Sequence, residues 1–351
     1  MLRRLLSDDL PRSKALSVIL LTLLVLLALA PFIVPGINAL NVAAKVLIFI
    51  VLVASFDLLL GYTGIVSFAH TMFFGIGAYG VAIASTRIGA SWEGVMVGIG
   101  AALGVSLLLA LAIGLFSLRV RAIFFAMITL AIATAFMTLA SQLSSFTGGE
   151  DGLNFKVPEI LQSGTMLLSE PIFGVDINGR LLTYYLLFFA TLAMVLALLR
   201  IVNSPFGRVL QAIRENPFRA EAIGYRVVVY RTVSSVISAL FATMAGVMLA
   251  LWLRYNGPDT SLSFEIMLDC LLIVVIGGMG TIYGAAIGAA LFVIAQSYLQ
   301  DLLRLGADAA SGVPVLAALL SPDRWLLWLG VLFVLSVYYF PTGIVGRLRR
   351  A

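Results

Sequence analysis

The sequence predicts an all-α membrane protein that crosses the bilayer about ten times, and three observations lead to that fold class. Of its 351 residues, 62% are hydrophobic and only 11% are charged, and the mean hydropathy is +1.10, far outside the composition of soluble proteins. Several apolar runs reach the about 20 residues that a helix needs to cross a bilayer. Alternation with a period of two, the pattern of a membrane-spanning strand, is absent. We interpret residues 1–351 as one membrane domain with its spanning core at 15–346.

Ten apolar runs are predicted to cross the membrane. The first exceeds the roughly 7–15 apolar residues of a secretory signal peptide, so we interpret it as a retained span. An even number of crossings places both termini on one side. In chain order the predicted spans are Ala15–Val34, Ala43–Leu60, Ile65–Thr86, Gly94–Leu118, Ala122–Ala140, Leu181–Leu199, Thr232–Leu253, Phe264–Ile276, Tyr283–Leu299 and Trp325–Phe340.

The charge distribution predicts which side of the membrane each loop faces. Lysine and arginine concentrate in loops that stay cytoplasmic. Most of the 22 lysines and arginines lie before residue 15, at 119–121, at 200–231 and after residue 346. The longest remaining loop, 141–180, carries acids instead: Glu150, Asp151, Glu159, Glu170 and Asp176. We therefore expect an external loop at 141–180, and a cytoplasmic loop at 200–231 with both termini on its side. The net charge of +5 then reflects orientation in the membrane rather than binding to nucleic acid.

The segment 204–225, SPFGRVLQAIRENPFRAEAIGY, is charged and lies between two apolar runs. Ser204-Pro205 and Asn216-Pro217 are typical helix N-cap and first-turn pairs, which predicts two short helices. An apolar stripe at helical spacing follows in the first: Phe206, Val209, Leu210 and Ile213. Two interpretations stay open, a linker that lies on the lipid headgroups and a docking element for a soluble partner. Pro217 leaves open whether the element is one bent helix or two.

Several chemistries are excluded by what the sequence lacks. It has one cysteine, Cys270, and one histidine, His70, so neither an intrachain disulfide nor a multi-histidine or cysteine metal centre can be built. The phosphate-binding pattern G-x-x-x-x-G-K-[S/T] is absent. Nucleotide-driven transport would therefore need ATP and Mg²⁺ on a separate subunit, and we expect no cofactor in this chain.

Glycine patterns favour helix packing. Gly75, Gly77 and Gly80 match a dinucleotide-binding pattern, but they lie in a predicted span with no strand before them, so we reject nucleotide binding. Gly277-Gly278 predicts a break between two helices, which is tolerated at membrane depth where it lines a cavity. The following small residues are spaced four apart, which is typical of close helix contact: Gly280, Gly284 and Gly288.

Two carboxylates, Asp57 and Asp269, are placed in predicted spans, where a charge is costly without a partner. Neither pairs with an obvious intramembrane lysine or arginine in the sequence, so we draw no proton relay. We expect each carboxylate to face the bundle interior and to have a partner there. The alternative for Asp57 is solvation at the predicted cytoplasmic end of its span. His70 is interpreted as a hydrogen-bonded packing residue in preference to a ligand.

Four motifs occur in a characteristic order: GYTGIVSFAH at 61–70 with FFGIGAY at 73–79, TGGEDGL at 147–153, SPFGR to AIG at 204–224, and GGMGT at 277–281. Together, over roughly residues 43–346, they resemble the LivM-type permease subunits of ABC importers for branched-chain amino acids and related solutes. Phe68-Ala69, Pro217 and Ala285 depart from the usual family residues.

The resemblance implies partners and roles. The partners are a sister permease that forms a heterodimer with this chain, two cytoplasmic ATPases and a periplasmic or external binding protein, around a chain in the inner membrane. The ATPase-coupling residues would be Gly207, Arg208, Arg214, Glu215, Asn216, Ala222 and Gly224. The translocation path would involve Gly61, Gly64, Ser67, His70, Gly277, Gly278 and Gly280. The external binding protein would contact Thr147, Gly148, Gly149 and Asp151.

Other functions stay open at this point. Within the same family, the solute could be urea or a short amide instead of a branched-chain amino acid. A secondary transporter would work without ATPases and would need ion-coupling charges in the membrane. A membrane enzyme would need a nucleophile and a base or a metal, for which one histidine and one cysteine leave little material.

Overall fold

The computed structural model describes residues 14–33, 36–117, 122–166, 175–309 and 319–350, and these form a helical bundle, which confirms the predicted fold class. The basic residues before residue 14, the turn at 119–121 and Glu170 lie outside the described residues. The first seven helices are α1 (Lys14–Ile33), α2 (Ile37–Thr63), α3 (His70–Arg87), α4 (Trp92–Ser117), α5 (Ala122–Gln142), α6 (Ser144–Thr147) and α7 (Gly179–Val202). The others are α8 (Pro205–Glu215), α9 (Pro217–Ala222), α10 (Val227–Leu253), α11 (Pro258–Ser261), α12 (Phe264–Gly277), α13 (Ile282–Ala309), α14 (Trp325–Tyr339) and α15 (Gly343–Arg350).

Nine helical stretches in the described part of the chain are long and apolar enough to cross a membrane. They match nine of the ten predicted spans, so the chain is a multi-pass membrane protein. The remaining prediction, Ile65–Thr86, corresponds to α3, which begins only at His70 and is not among the nine. The residues just before it, 65–69, are not helical. The count of ten therefore stays a prediction.

Of the nine spanning stretches, α2 is the most buried. Within its most apolar 18 residues, 89% are buried, against 17% for α1. Among the nine spanning stretches α10 is the next most buried, and α2 packs against α7, α10, α12 and α13. The outer helices expose leucine, valine and phenylalanine side chains, as expected where lipid is the solvent.

Glycines allow two helix pairs to cross with their backbones in contact. A Cβ on Gly77 of α3 would overlap the carbonyl of Thr243, and one on Gly246 of α10 would overlap the carbonyl of Phe74. Gly80 meets Gly98 of α4 in the same way. These contacts confirm the packing interpretation of the glycine pattern in α3.

The loops at one end of the bundle contain a short β-ladder that the sequence did not predict. β1 (Leu153–Asn154) pairs antiparallel with β2 (Tyr255–Asn256), and each strand is too short to show a period. The ladder joins the loop 141–180 to the turn after α10. We call this side of the bundle the loop end and the opposite side, which carries α8 and α9, the α8 end. Three 3₁₀ turns complete the described structure: Gly149–Asp151, Glu159–Leu161 and Pro322–Arg324.

Candidate functional site

The segment 204–225 folds as two helices, α8 and α9. The hydroxyl of Ser204 accepts the N–H of Gly207 at 3.4 Å, and Oδ1 of Asn216 accepts the N–H of Arg219 at 2.9 Å. Both predicted N-caps are confirmed, and in each helix a proline takes the first position, where no backbone donor is needed. The chain then turns at Gly224, whose φ of 97° favours glycine.

The apolar face of α8 is turned toward the rest of the protein. Leu210 and Ile213 are fully buried, and the ring of Phe206 stacks on that of Tyr230 at 5.7 Å. A Cβ on Gly207 would overlap the backbone of Val202, so α8 is held tightly against the end of α7. A helix lying on lipid would point this stripe at the bilayer. The burial therefore argues against a lipid-surface linker.

The outward face of the two helices is charged, with two large apolar side chains at its tip. Phe218 is 82% exposed and Ile223 is 68% exposed. Predicted coupling residues share this face: Arg208, Glu215, Ala222 and Gly224. Sequence reasoning missed Phe218, although its place two residues before the buried Ala220 puts it on the opposite side of α9.

Arg214 joins α8 to the core of the bundle. Its Nη1 donates a hydrogen bond to the carbonyl of Gly61 in the last turn of α2. A Cβ on Gly64, which ends α2 in the left-handed conformation with φ 71°, would lie 3.2 Å from Cγ of Arg214. A Cβ on Gly280 would lie 3.0 Å from Nη1 of the same arginine. Glycine at both positions makes room for the arginine.

Asp57 completes this contact from inside α2. Its carboxylate is buried and accepts the N–H of Gly280 twice, at 2.9 Å to Oδ1 and 3.1 Å to Oδ2. The expectation of an interior partner is therefore confirmed for Asp57, and the alternative of a solvated carboxylate is wrong. The carboxylate sits before α13, where N–H groups lack partners within the helix and an anion is favoured. We call Asp57, Gly61, Gly64, Arg214 and Gly280 the junction. It brings together three motifs that are far apart in the chain.

The predicted break between helices is present next to the junction. α12 ends at Gly277 and α13 begins at Ile282, with positive φ at Gly278 and Gly280. The hydroxyl of Thr281 donates to the carbonyl of Gly278 at 2.7 Å and accepts the N–H of Gly284 at 3.2 Å. Gly277 packs against the backbone of Gly284, while Gly280 lies in the break instead of on the packed face.

His70 contacts residues of α2 that are not members of the junction. The ring nitrogen Nε2 of His70 is 3.0 Å from the hydroxyl of Ser55 and 3.1 Å from the carbonyl of Leu52. Its ring lies 5.2 Å from that of Phe56. These contacts are those of a hydrogen-bonded packing residue, and Ser67 is likewise buried. A path role for either residue stays a prediction.

The TGGEDGL motif is a folded turn at the loop end. The buried hydroxyl of Thr147 donates to the carbonyls of Ala140 and Leu143, at 2.5 Å and 2.8 Å. Positive φ angles turn the chain at Gly148, Gly149 and Gly152. Asp151 is exposed and its carbonyl accepts the hydroxyl of Tyr255 at 3.2 Å. Thr147 and Gly149 thus shape the turn, and the acidic side chain faces outward.

Arg254 fastens the same loop to the bundle from the end of α10. Its φ of 58° is the left-handed conformation, which is uncommon outside glycine. Nη2 donates to the carbonyl of Leu161 at 2.7 Å and Nη1 to the hydroxyl of Ser163 at 3.2 Å. Burial, and after it the charge of Arg180, lowers the pKa of the Arg254 guanidinium.

A polar cluster inside the membrane-spanning part was missed. Nζ of Lys45 in α2 donates to Oε1 of Gln296 in α13 at 2.8 Å, and Nε2 of Gln296 donates to Oδ2 of Asp269 in α12 at 3.4 Å. Lys45 and Asp269 also interact electrostatically. The interpretation that Asp269 has no basic partner is wrong. The sequence did contain a signal for this cluster, because Lys45 is a basic residue within the predicted span Ala43–Leu60. We call Lys45, Asp269 and Gln296 the embedded cluster.

Comparison with known proteins gives one family. Residues 38–337 match the family model described as branched-chain amino acid transport system, permease component. The chain is 27% identical over 322 residues to the high-affinity branched-chain amino acid transport system permease protein LivM of Salmonella typhimurium, which covers 88% of this chain and 74% of the relative. LivM of Escherichia coli is 27% identical over 326 residues, with the same shares covered.

The name of a further relative refers to a different solute. The autoinducer 2 import system permease protein LsrC of Salmonella typhimurium is 29% identical over 249 residues, 66% of each chain. No solved structure matches the chain.

Proposed function

We propose, from the premise that this chain belongs to the family of permease components of branched-chain amino acid transport systems, that it is the membrane permease of an ATP-driven importer. It would form a heterodimer with a sister permease, receive its solute from an external binding protein and take its energy from two cytoplasmic ATPases. Hydrolysis would occur on those ATPases and not on this chain.

The observation that carries the proposal is the way in which α8 is attached. Its apolar side is buried, its caps are complete and Arg214 ties it to the end of α2 and to the start of α13. The outward side presents Phe218 and Ile223 beside charged residues, a composition that favours a protein partner. Force applied to this face by an ATPase would reach two spanning helices directly. A coupling element has to be attached to the helices that it moves, since an unattached linker would not bias one state of the permease over the other.

The proposed orientation follows from charge. The α8 end carries the arginine-rich segment, so we place it in the cytoplasm of a cell whose inner membrane holds the chain, with both termini on that side. The loop end, with exposed Glu150 and Asp151, would then face the binding protein.

Branched-chain amino acids are the proposed solutes because the family description and the LivM relatives name them. Urea or a short amide is the alternative within the same family. The autoinducer 2 importer among the relatives supports testing a wider set of solutes.

A secondary transporter is the alternative from another class. The embedded cluster supplies charges of the kind that such a transporter needs in the membrane. Family membership and the attached α8 favour the ATP-driven importer.

Reconstitution of the complete complex tests the proposal. Proteoliposomes that enclose ATP should accumulate radiolabelled L-leucine, L-isoleucine or L-valine when the binding protein is added outside, and vesicles without ATP should not. Accumulation driven by an ion gradient in the absence of ATP would establish the secondary transporter instead. Uptake of urea, an amide or autoinducer 2 in place of the amino acids would change the proposed solute but would leave the assignment as an ATP-driven importer.

The double variant Arg214→Ala, Glu215→Ala tests the coupling role in the same vesicles. It should assemble and bind the ATPases but lose most of the ATP hydrolysis that depends on the loaded binding protein, because the link to Gly61 is gone. Gln211→Ala, an exposed change on the same helix, is the matched control and should keep that hydrolysis. If both variants hydrolyse ATP equally well in response to the loaded binding protein, α8 is not the coupling element.

A further inference from the structure

We propose that the embedded cluster is a site for the charged head of a zwitterionic α-amino acid, in which Lys45 binds the carboxylate and Asp269 binds the ammonium. The inference rests on the proposed function, because it concerns the solute that the permease carries. It adds the place and the charge class of a binding site within the membrane.

The depth of the cluster is the first argument. Each of its three residues lies inside an apolar stretch that is long enough to cross a membrane, two to five residues from the loop-end limit of its predicted span. An ionised side chain at that depth is costly and is retained mainly where it has a function. A purely structural contact between α2, α12 and α13 could be made with apolar side chains at no such cost.

The exposure of the cluster is the second argument. Lys45, Asp269 and Gln296 are each only half-buried within the chain. Charged groups do not face lipid, so their open side has to be covered by water or by another protein surface. In the proposed heterodimer we assign that side to the path between the two permeases.

A polar stripe connects the cluster to the loop end. On α12, the exposed Glu265 lies one turn before Asp269, and on α13 the exposed Gln300 lies one turn after Gln296. Because α12 and α13 are antiparallel, both of these neighbours lie on the loop-end side of the cluster. Solute released at the loop end would therefore meet polar groups on its way to Lys45 and Asp269.

The geometry of Gln296 identifies the ligand class. Its side-chain oxygen accepts from the ammonium of Lys45 and its nitrogen donates to the carboxylate of Asp269. The amide thus presents an acceptor and a donor, one carbon apart, to a cation and an anion. The carboxylate and the ammonium of an α-amino acid offer the same two functions in a similar span, with full charges that strengthen both hydrogen bonds. An amino acid can displace the Gln296 amide and leave neither charge unpaired.

Neutral solutes and singly charged solutes fit less well. A solute without charge would have to separate Lys45 and Asp269 from Gln296 and return only weaker hydrogen bonds. An amine or a carboxylic acid would satisfy one member of the pair and leave the other unpaired in the membrane. The site therefore predicts selection for the zwitterion.

Ligand-induced stabilisation of the membrane complex tests the site. The permeases and ATPases are placed in nanodiscs without the binding protein, so that only membrane subunits can bind the ligand. L-Leucine and L-valine should raise the thermal unfolding midpoint in a concentration-dependent way, since a ligand of the folded state stabilises it. Isoamylamine and 4-methylpentanoate, which each lack one of the two charges, should not.

Variants then assign the effect to the cluster. Lys45→Met and Asp269→Asn should raise the leucine concentration for half of the maximal shift by about tenfold or more. Lys156→Met and Asp301→Asn remove the same charges from exposed positions and should leave that concentration unchanged. If either cluster variant fails to assemble, Gln296→Leu, which removes both hydrogen bonds and keeps both charges, should still respond to leucine and not to the two singly charged probes.

The outcomes separate this inference from the proposed function. A wild-type complex that takes up leucine with ATP, but whose cluster variants keep the wild-type leucine response, overturns the site and leaves the importer in place. An equal response to leucine, amine and acid also overturns it, as does a wild-type complex without any leucine response. Loss of ATP-dependent uptake for every solute tested would instead count against the importer.

Discussion

At the scale of single residues, Gly61 is the most confined position in the junction. A Cβ there would overlap both Oδ1 of Asp57 and the backbone of Gly280, and neither can move without breaking the hydrogen bond between them. We expect Gly61→Ala to destabilise the complex by about 1–3 kcal/mol, the usual cost of overpacking. A lower thermal unfolding midpoint, measured by tryptophan fluorescence in nanodiscs, would be the result.

Gly104→Ala is the matched control for that change. Gly104 lies inside α4, exposed, with no atom within 4 Å of its Cβ position. Alanine is the better helix former at both sites, so this substitution should keep or raise the midpoint. If Gly61→Ala behaves like Gly104→Ala, the junction is looser than its contacts indicate.

Residue patterns predicted part of the junction and could not predict the rest. Arg214 and the glycines stood out in the sequence as members of motifs. Their meeting depends on tertiary structure, because Asp57 and Gly280 are 223 residues apart in the chain. The same reason hid the embedded cluster, where Lys45 and Gln296 are separated by 251 residues. No local period or spacing links residues at such distances.

At the scale of elements, α8 and α9 form a platform whose outward tip is apolar. Phe218 is 82% exposed and contributes little to the packing of the chain itself. We expect Phe218→Ala to change the free energy of unfolding of the isolated permease pair by less than about 0.5 kcal/mol, as surface substitutions usually do. The affinity of the Phe218→Ala variant for the ATPases should fall by about tenfold or more, since exposed aromatic residues often contribute most of the binding energy of an interface. Titration of labelled ATPase onto the nanodiscs measures that affinity.

Met166→Ala provides the comparison for Phe218→Ala. Met166 is 73% exposed, but it lies at the loop end, on the other side of the bundle. ATPase affinity should be unaffected there, and a weaker affinity in both variants would point to a general defect. Unchanged affinity in Phe218→Ala would place the ATPase contact elsewhere on the α8 end.

Elements were the level at which sequence reasoning succeeded best. The long apolar runs predicted nine spanning stretches closely, because length and composition alone decide them. Cap residues and an apolar stripe, which are local signals, predicted α8 and α9. The start of α3 was misplaced by five residues, since the apolar residues 65–69 satisfy hydropathy without being helical. Two-residue strands such as β1 and β2 leave no signal of their own.

At the scale of the whole molecule, the proposed orientation can be checked by cysteine labelling. Cys270 is fully buried, so the unmodified chain should react little with a membrane-impermeant maleimide. In intact cells, Glu150→Cys should be labelled because it is exposed at the loop end. Gln211→Cys, exposed on α8, should be labelled only after the cells are permeabilised. The reverse pattern would invert the topology.

The unbroken helix α2 has a mechanical consequence for the whole complex. It contains no proline, and its one glycine, Gly61, lies in its last turn, so nothing within it provides a hinge. Gly61 and Lys45 are 16 residues apart, or about 24 Å along the helix axis. In the proposed importer, a push on Arg214 would not kink α2 and would instead tilt it as a lever. The distance between Lys45 and Asp269 would then change in each transport cycle, so that the site for the charged head of the solute would alternately bind and release it.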